Sequence, residues 1–115
     1  FKMAWLKRYD GQYGYTRFPI ETEETVKGFP DVLCINKYDS SCYFIEFKFT
    51  KTGKIKFQPT QPAFYKAHPE LSIHVVAYNA KTGMVHEFGV DCLFDKICAY
   101  ALNDKAEVDL TKAEV

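Results

Sequence analysis

The chain lacks a net charge: 15 Lys and Arg balance 15 Asp and Glu over 115 residues. That excludes a uniformly basic nucleic-acid binder, and it argues against disorder, which needs high net charge and low hydrophobicity. It also lacks any uninterrupted apolar run near the ~20 residues of a membrane span, so no membrane partner is expected. Residues 1–9 carry three basic side chains among apolar ones, without the hydrophobic block or cleavage site of a secretory signal. A start at Phe1 is what processing or trimming leaves, and residues upstream of it are expected. No C-x-x-C pair occurs and no histidine stands at finger spacing, so Cys34, Cys42, Cys92 and Cys98 read as free thiols rather than zinc ligands or disulfides. Free thiols fit a cytoplasmic, intracellular chain, in a nucleoid or viral replication setting. Repeats, low-complexity tracts and linkers are absent.

What is present suffices for one core, with 47% hydrophobic and 17% aromatic residues. Residues 1–102 read as a single domain, and 103–115 as a polar, charged tail that should be loose. Phe1 and Trp5 stand at i, i+4 spacing in a first helix over 1–9, ended by Asp10-Gly11. Alternation over 12–20 predicts a strand stopped near Pro19. Two further strands, 31–36 and 42–49, flank the turn residues 37–41, so an antiparallel hairpin is expected. Residues 51–54 read as a turn. Pro59-Thr60-Gln61-Pro62 has the chemistry of a helix start with Thr60 as N-cap, and the helix should stop before Pro69. Strands over 73–78 and 84–88 follow, then a helix capped by Asp91 with Leu93, Phe94, Ile97, Tyr100 and Ala101 inside. The order α-β-β-β-α-β-β-α implies an α/β (α+β) fold, one mixed central sheet flanked by helices.

Few charges interrupt the two central apolar runs: Asp31, directly after Pro30, and Glu46 and Lys48, two apart and so on one face of a strand. Burying them costs free energy unless they have a task. Phosphodiester hydrolysis needs neutralised phosphate oxygens, an activated water and a stabilised leaving alkoxide. Mg²⁺ or Mn²⁺ serves all three when hard oxygen ligands hold it with water positions open. Asp31 and Glu46 are such ligands, with the Phe47 carbonyl between Glu46 and Lys48 as a third. The Lys48 amine can position the attacking water or meet the phosphate charge.

Gly28-Phe29-Pro30-Asp31, then Glu46-Phe47-Lys48 fifteen positions on from Asp31, resembles the core motif of the PD-(D/E)XK nuclease superfamily. A pattern this loose arises by chance in roughly one chain of this length in a hundred; requiring both halves in strand-like runs joined by a turn lowers that rate. The resemblance covers residues 12–78 and implies a restriction-endonuclease-like fold and a metal-dependent nuclease. Gln61 and Tyr65 add a Q-x-x-x-Y pattern, one helical turn apart. RecB-type and VRR-NUC-like branches carry such a pattern on the helix after E-x-K, facing the metal or the substrate phosphate. Gln58 is the lesser candidate for that role. Many members also carry a Glu on the helix before the first strand, and residues 1–9 hold no acidic residue. Either that Glu lies upstream, or Glu21 or Glu23 substitutes, or the site uses fewer ligands.

Lys51, Lys54, Lys56 and Lys66, with Tyr65, are the candidate DNA-backbone contacts, set against acidic residues gathered at Glu21, Glu23 and Glu24 and along the tail. A solvated lysine loop has the same composition. The expected function is a Mg²⁺- or Mn²⁺-dependent endonuclease on DNA, with Asp31, Glu46, Lys48 and Gln61 catalytic. Size favours the Holliday-junction-resolvase-like or VRR-NUC-like branches, selective for branched DNA and serving recombination and repair. The alternative is a catalytically weak or inactive nucleic-acid-binding module on the same fold. An edge strand over 84–88 or the apolar face of the last helix would serve a homodimer. His68, His74 and His86 share no triad spacing and read as capping and packing residues.

Overall fold

In the computed structural model, residues 28–94 and 100–111 are described in full and 15–19 as backbone. A five-stranded sheet carries the chain: β1 (Tyr15–Pro19), β2 (Val32–Asn36), β3 (Cys42–Thr50), β5 (Ile73–Asn79) and β6 (Met84–Gly89), in that spatial order. The β1–β2 and β2–β3 pairs are antiparallel, β3–β5 is parallel and β5–β6 antiparallel. Helix α1 (Thr60–Ala67) lies in the β3–β5 crossover, the connection that parallel neighbours require. The expected mixed sheet, the 37–41 hairpin and the strands flanking it are all present. The expected helix over 1–9 lies outside the described residues, as do Glu21, Glu23 and Glu24.

Period-two alternation on β3 and β5 sorts their side chains into two layers. Ile55, Phe57, Tyr65, Ile73, Val75, Ala77, Phe88 and Val108 form the core on the α1 side. Val32, Cys34, Ile45 and Val76 form a second cluster on the other face. Cys34, Cys42 and Cys92 are free thiols, as expected, and Cys98 lies outside the described residues. Among the described residues no helix is long and apolar enough to cross a membrane.

Three expectations change. Over its described residues, 103–111, the tail is not loose: Glu107–Asp109 forms β7, antiparallel to β4 (Lys54–Lys56), which extends what the sequence suggested was only a turn. Val108 is 0% exposed and Leu110 is buried with it, so two apolar residues among many charges anchor the segment. Val90–Phe94 forms a 3₁₀ turn and Tyr100 and Ala101 are not helical, while residues 95–99 of the expected last helix lie outside the described residues. Pro59, not Thr60, stands at the N-cap of α1 and makes no side-chain cap.

Candidate metal and phosphodiester site

Pro30 and the start of β2 aim Asp31 at β3. The last register pair is Val32–Ile45, and the Asp31 amide continues it, donating to the Ile45 carbonyl at 3.0 Å. Asp31 thereby sits beside Glu46. Its Oδ2 accepts the Phe47 amide at 3.0 Å, taking over the donor that β2 no longer pairs. In an extended strand a residue's N–H and C=O face the same neighbour, so the Phe47 carbonyl also points toward the edge that Asp31 occupies.

Glu46 and Lys48 alternate onto the α1 face, where Gln61 meets both. Gln61 Nε2 donates to Glu46 Oε1 at 2.8 Å, and Lys48 Nζ donates to Gln61 Oε1 at 3.0 Å. Lys48 Nζ lies 3.7 Å from Glu46 Oε1 directly. Gln61 Oε1 also accepts the Gln58 amide at 2.8 Å, which fixes the loop entering α1. Gln58 thus contributes its backbone, not the side chain the sequence suggested as a lesser candidate. Glu46 is 5% and Gln61 8% exposed, so these are charge-assisted bonds in a poorly hydrated setting. Desolvation draws the Lys48 amine below its ordinary range; Glu46 and Asp31 oppose that shift and keep the proton more firmly bound. The ammonium also lies 4.7 Å from the Phe57 ring centroid.

Gly28 is what lets α1 approach. Its φ is +90°, and a Cβ there would stand 2.3 Å from the Thr60 carbonyl oxygen. Phe29 then packs edge-on to Phe44 and Phe64, locking the helix over β3. The Gly-Phe-Pro-Asp run is therefore a spacer for the helix as well as the carrier of a carboxylate.

The remaining expected residues divide. Tyr65 is 3% exposed and packs edge-on to Phe57, so it does not present a DNA-contacting surface. One turn after Gln61 on a helix whose inner face is the core, its ring fills apolar space. Its hydroxyl is buried without a hydrogen-bond partner, and burial, Glu46 and Asp31 together push its ionisation well above the ordinary phenol range. Lys51, Lys54, Lys56 and Lys66 are exposed. However, the β4–β7 register sets Lys54 opposite Asp109 and Lys56 opposite Glu107. The acidic tail thus folds back onto the lysine stretch, and the expected segregation of charge is reduced there. The Lys66 ammonium lies 5.0 Å from the Phe94 ring centroid. His68 ends α1 and pairs with Glu70, His74 packs on Tyr43, and His86 bonds the Tyr100 hydroxyl: capping and packing roles, as expected. A hollow of about 840 Å³ between the end of α1 and the start of β5 touches none of Asp31, Glu46, Lys48 or Gln61.

Among the described residues no three His, Cys, Asp or Glu side chains group as a metal site. Two carboxylates and a directed carbonyl fit a hard divalent cation that keeps several waters, which is how Mg²⁺ is commonly held.

No protein-family model matches the chain, and no curated protein matches it. Among solved structures it is similar to Archaeoglobus fulgidus Hjc, a Holliday junction resolvase from an archaeal hyperthermophile. The TM-score is 0.65 at 14% identity, over 96% of this chain and 87% of that one. The mixed α+β fold is therefore shared with that protein.

Proposed function

We propose that this chain is a metal-dependent endonuclease that hydrolyses DNA phosphodiester bonds, selecting branched DNA of the Holliday-junction kind. The observation that carries the reading is the bonded cluster of Glu46, Lys48 and Gln61 under α1, with the Asp31 carboxylate beside it on the Phe47 amide. Four polar residues, from β3, α1 and the residue just ahead of β2, converge where a sheet would otherwise be apolar. The fold shared with Hjc supports the same reading, and by that likeness it acts inside the cell, in recombination and repair.

Asp31, Glu46 and the Phe47 carbonyl would hold Mg²⁺ or Mn²⁺, which when bound supplies a water of lowered pKa and neutralises phosphate charge. Glu21 or Glu23 would complete the set from outside the described residues. Lys48 carries the only ammonium in the bonded cluster described above, close enough to Glu46 to be held in place. It offsets charge on the pentacovalent phosphorus or orients the water's attack. Gln61 holds Lys48 and Glu46 at a fixed separation, so neither swings away when a phosphate arrives. Lys51, Lys54, Lys56 and Lys66 would follow the backbone without reading bases.

The test is incubation with four-way junction, single-stranded and duplex DNA, in Mg²⁺ or Mn²⁺ and then in EDTA. Metal-dependent cleavage of the junction, lost in Glu46→Gln while the fold and DNA binding persist, is the expected result. Junction binding without cleavage by any metal would instead identify a binding module on a nuclease fold. Cleavage surviving Glu46→Gln would show that the site lies elsewhere.

A further inference from the structure

Phe49 lies on the face of β3 opposite Glu46 and Lys48, and it is 55% exposed. Its ring stacks on that of Tyr78, its register partner on β5, at 5.7 Å between centroids and 29° between planes. The phenyl ring is thus braced by a neighbouring ring while more than half of the residue stays open to solvent. Val85, the partner of Tyr78 on β6, continues the apolar strip and is exposed as well.

A lone exposed aromatic needs no explanation; this one has a particular setting. The turn after β3 and the turn after β5 are tied together by the Ala80 amide, which donates to the Thr50 carbonyl at 2.8 Å. That bond brings Lys51 and Lys81, both exposed, to the end of the sheet where Phe49 and Tyr78 lie. The Lys81 side chain passes within 3.8 Å of the position a Cβ on Gly53 would take, so it runs alongside the β3–β4 turn. Both lysines stand outside the β4–β7 ladder that sets Lys54 and Lys56 opposite carboxylates. An aromatic face beside cations is the arrangement that binds single strands, the ring taking a base and the cations the neighbouring phosphates.

We propose that Phe49, braced by Tyr78 at the end of the sheet whose turns carry the exposed Lys51 and Lys81, is a stacking platform for an unpaired nucleobase of a DNA strand. The inference rests on the nuclease reading and deepens it. Phe49 stands three residues beyond Glu46, about 10 Å along β3, so a strand rounding the end of the sheet connects the two. Substrates with unpaired bases beside the cut would be preferred over plain duplex.

Binding is measured in EDTA, without cleavage, by fluorescence anisotropy on labelled oligothymidylate, an abasic strand of the same length and a duplex. Phe49→Ala should lose roughly tenfold in affinity for oligothymidylate, the scale of one base–aromatic stack, and leave the abasic strand and duplex unaffected. Its dependence on salt should match wild type. Lys51→Ala with Lys81→Ala should instead lower the slope of log affinity against log salt by about 1.4, two phosphate contacts on a single strand. Wild-type affinity of Phe49→Ala for oligothymidylate, or equal wild-type affinity for the abasic strand, overturns the platform. So does a Phe49→Ala chain that binds normally but sediments as a monomer where wild type is a dimer, for the patch then belongs to a second copy. Phe49→Leu, which keeps apolar bulk without the ring, should behave as Phe49→Ala and controls for folding. Failure of the nuclease reading is seen separately, as junction binding by the wild-type chain with no cleavage in Mg²⁺ or Mn²⁺.

Discussion

Gln61→Leu is the substitution whose cost can be worked out most fully. The amide makes three bonds: to the Glu46 carboxylate at 2.8 Å, from the Lys48 ammonium at 3.0 Å and from the Gln58 amide at 2.8 Å. The two to charged partners contribute about 1.5–3 kcal/mol each and the third about 1 kcal/mol. Leucine returns about 1–2 kcal/mol by burying apolar surface in a site only 8% exposed. Lys48 also recovers part of the loss by closing its 3.7 Å separation from Glu46. The net is a destabilisation of about 2–3 kcal/mol. With a urea slope of about 1.5 kcal/mol per molar, the midpoint should fall by roughly 1.3–2 M at unchanged slope, followed by circular dichroism. Gln61→Glu sharpens the test. It puts a second carboxylate oxygen where Nε2 now lies against Glu46, so the folded pair takes up a proton more readily than either acid does unfolded. A raised folded-state pKa gives stability that is present at low pH and lost as pH rises through it. Gln61→Glu should therefore stand nearest wild type close to pH 4–5 and fall behind toward neutrality. A midpoint shift below about 0.3 M for Gln61→Leu would refute the bonded cluster.

Tyr65→Phe removes a buried hydroxyl that has no hydrogen-bond partner, so it should be neutral or stabilising by about 1 kcal/mol in the same urea titration, and should leave DNA affinity unchanged. The folded chain holds that phenolic proton at pH values where the unfolded chain releases it, so wild-type stability falls as pH rises above about 10. The fall should be shallower in Tyr65→Phe, and an identical alkaline profile would contradict the burial argument. Neutralising the residues opposite Lys56 and Lys54, by Glu107→Gln with Asp109→Asn, should raise duplex affinity several-fold at low salt, with the gain fading as salt rises. No gain at low salt would mean that those lysines do not face the backbone.

The central hairpin was legible in the sequence because its signals are local. Strand-forming residues of period two flank turn residues, and Asp31, Glu46 and Lys48 stand out as charges within apolar runs. Spacing alone puts Glu46 and Lys48 on one face, and proline chemistry alone starts α1 near Gln61. Resemblance to a nuclease motif then suggested which charges to bring together. What tertiary structure decided are the relations between segments distant in sequence. Tyr65 fits a surface role as well as a core one until α1 is laid on the sheet, with Gly28 allowing the close approach. The tail reads as loose because its charges outnumber its apolar residues, yet Val108 and Leu110 join the core beside Ile55 of β4 and carry Glu107 and Asp109 onto the lysines. Composition records how many charges of each sign a chain has. Only the register of β4 with β7 fixes which of them face each other, because that pairing depends on burying two side chains more than fifty residues away.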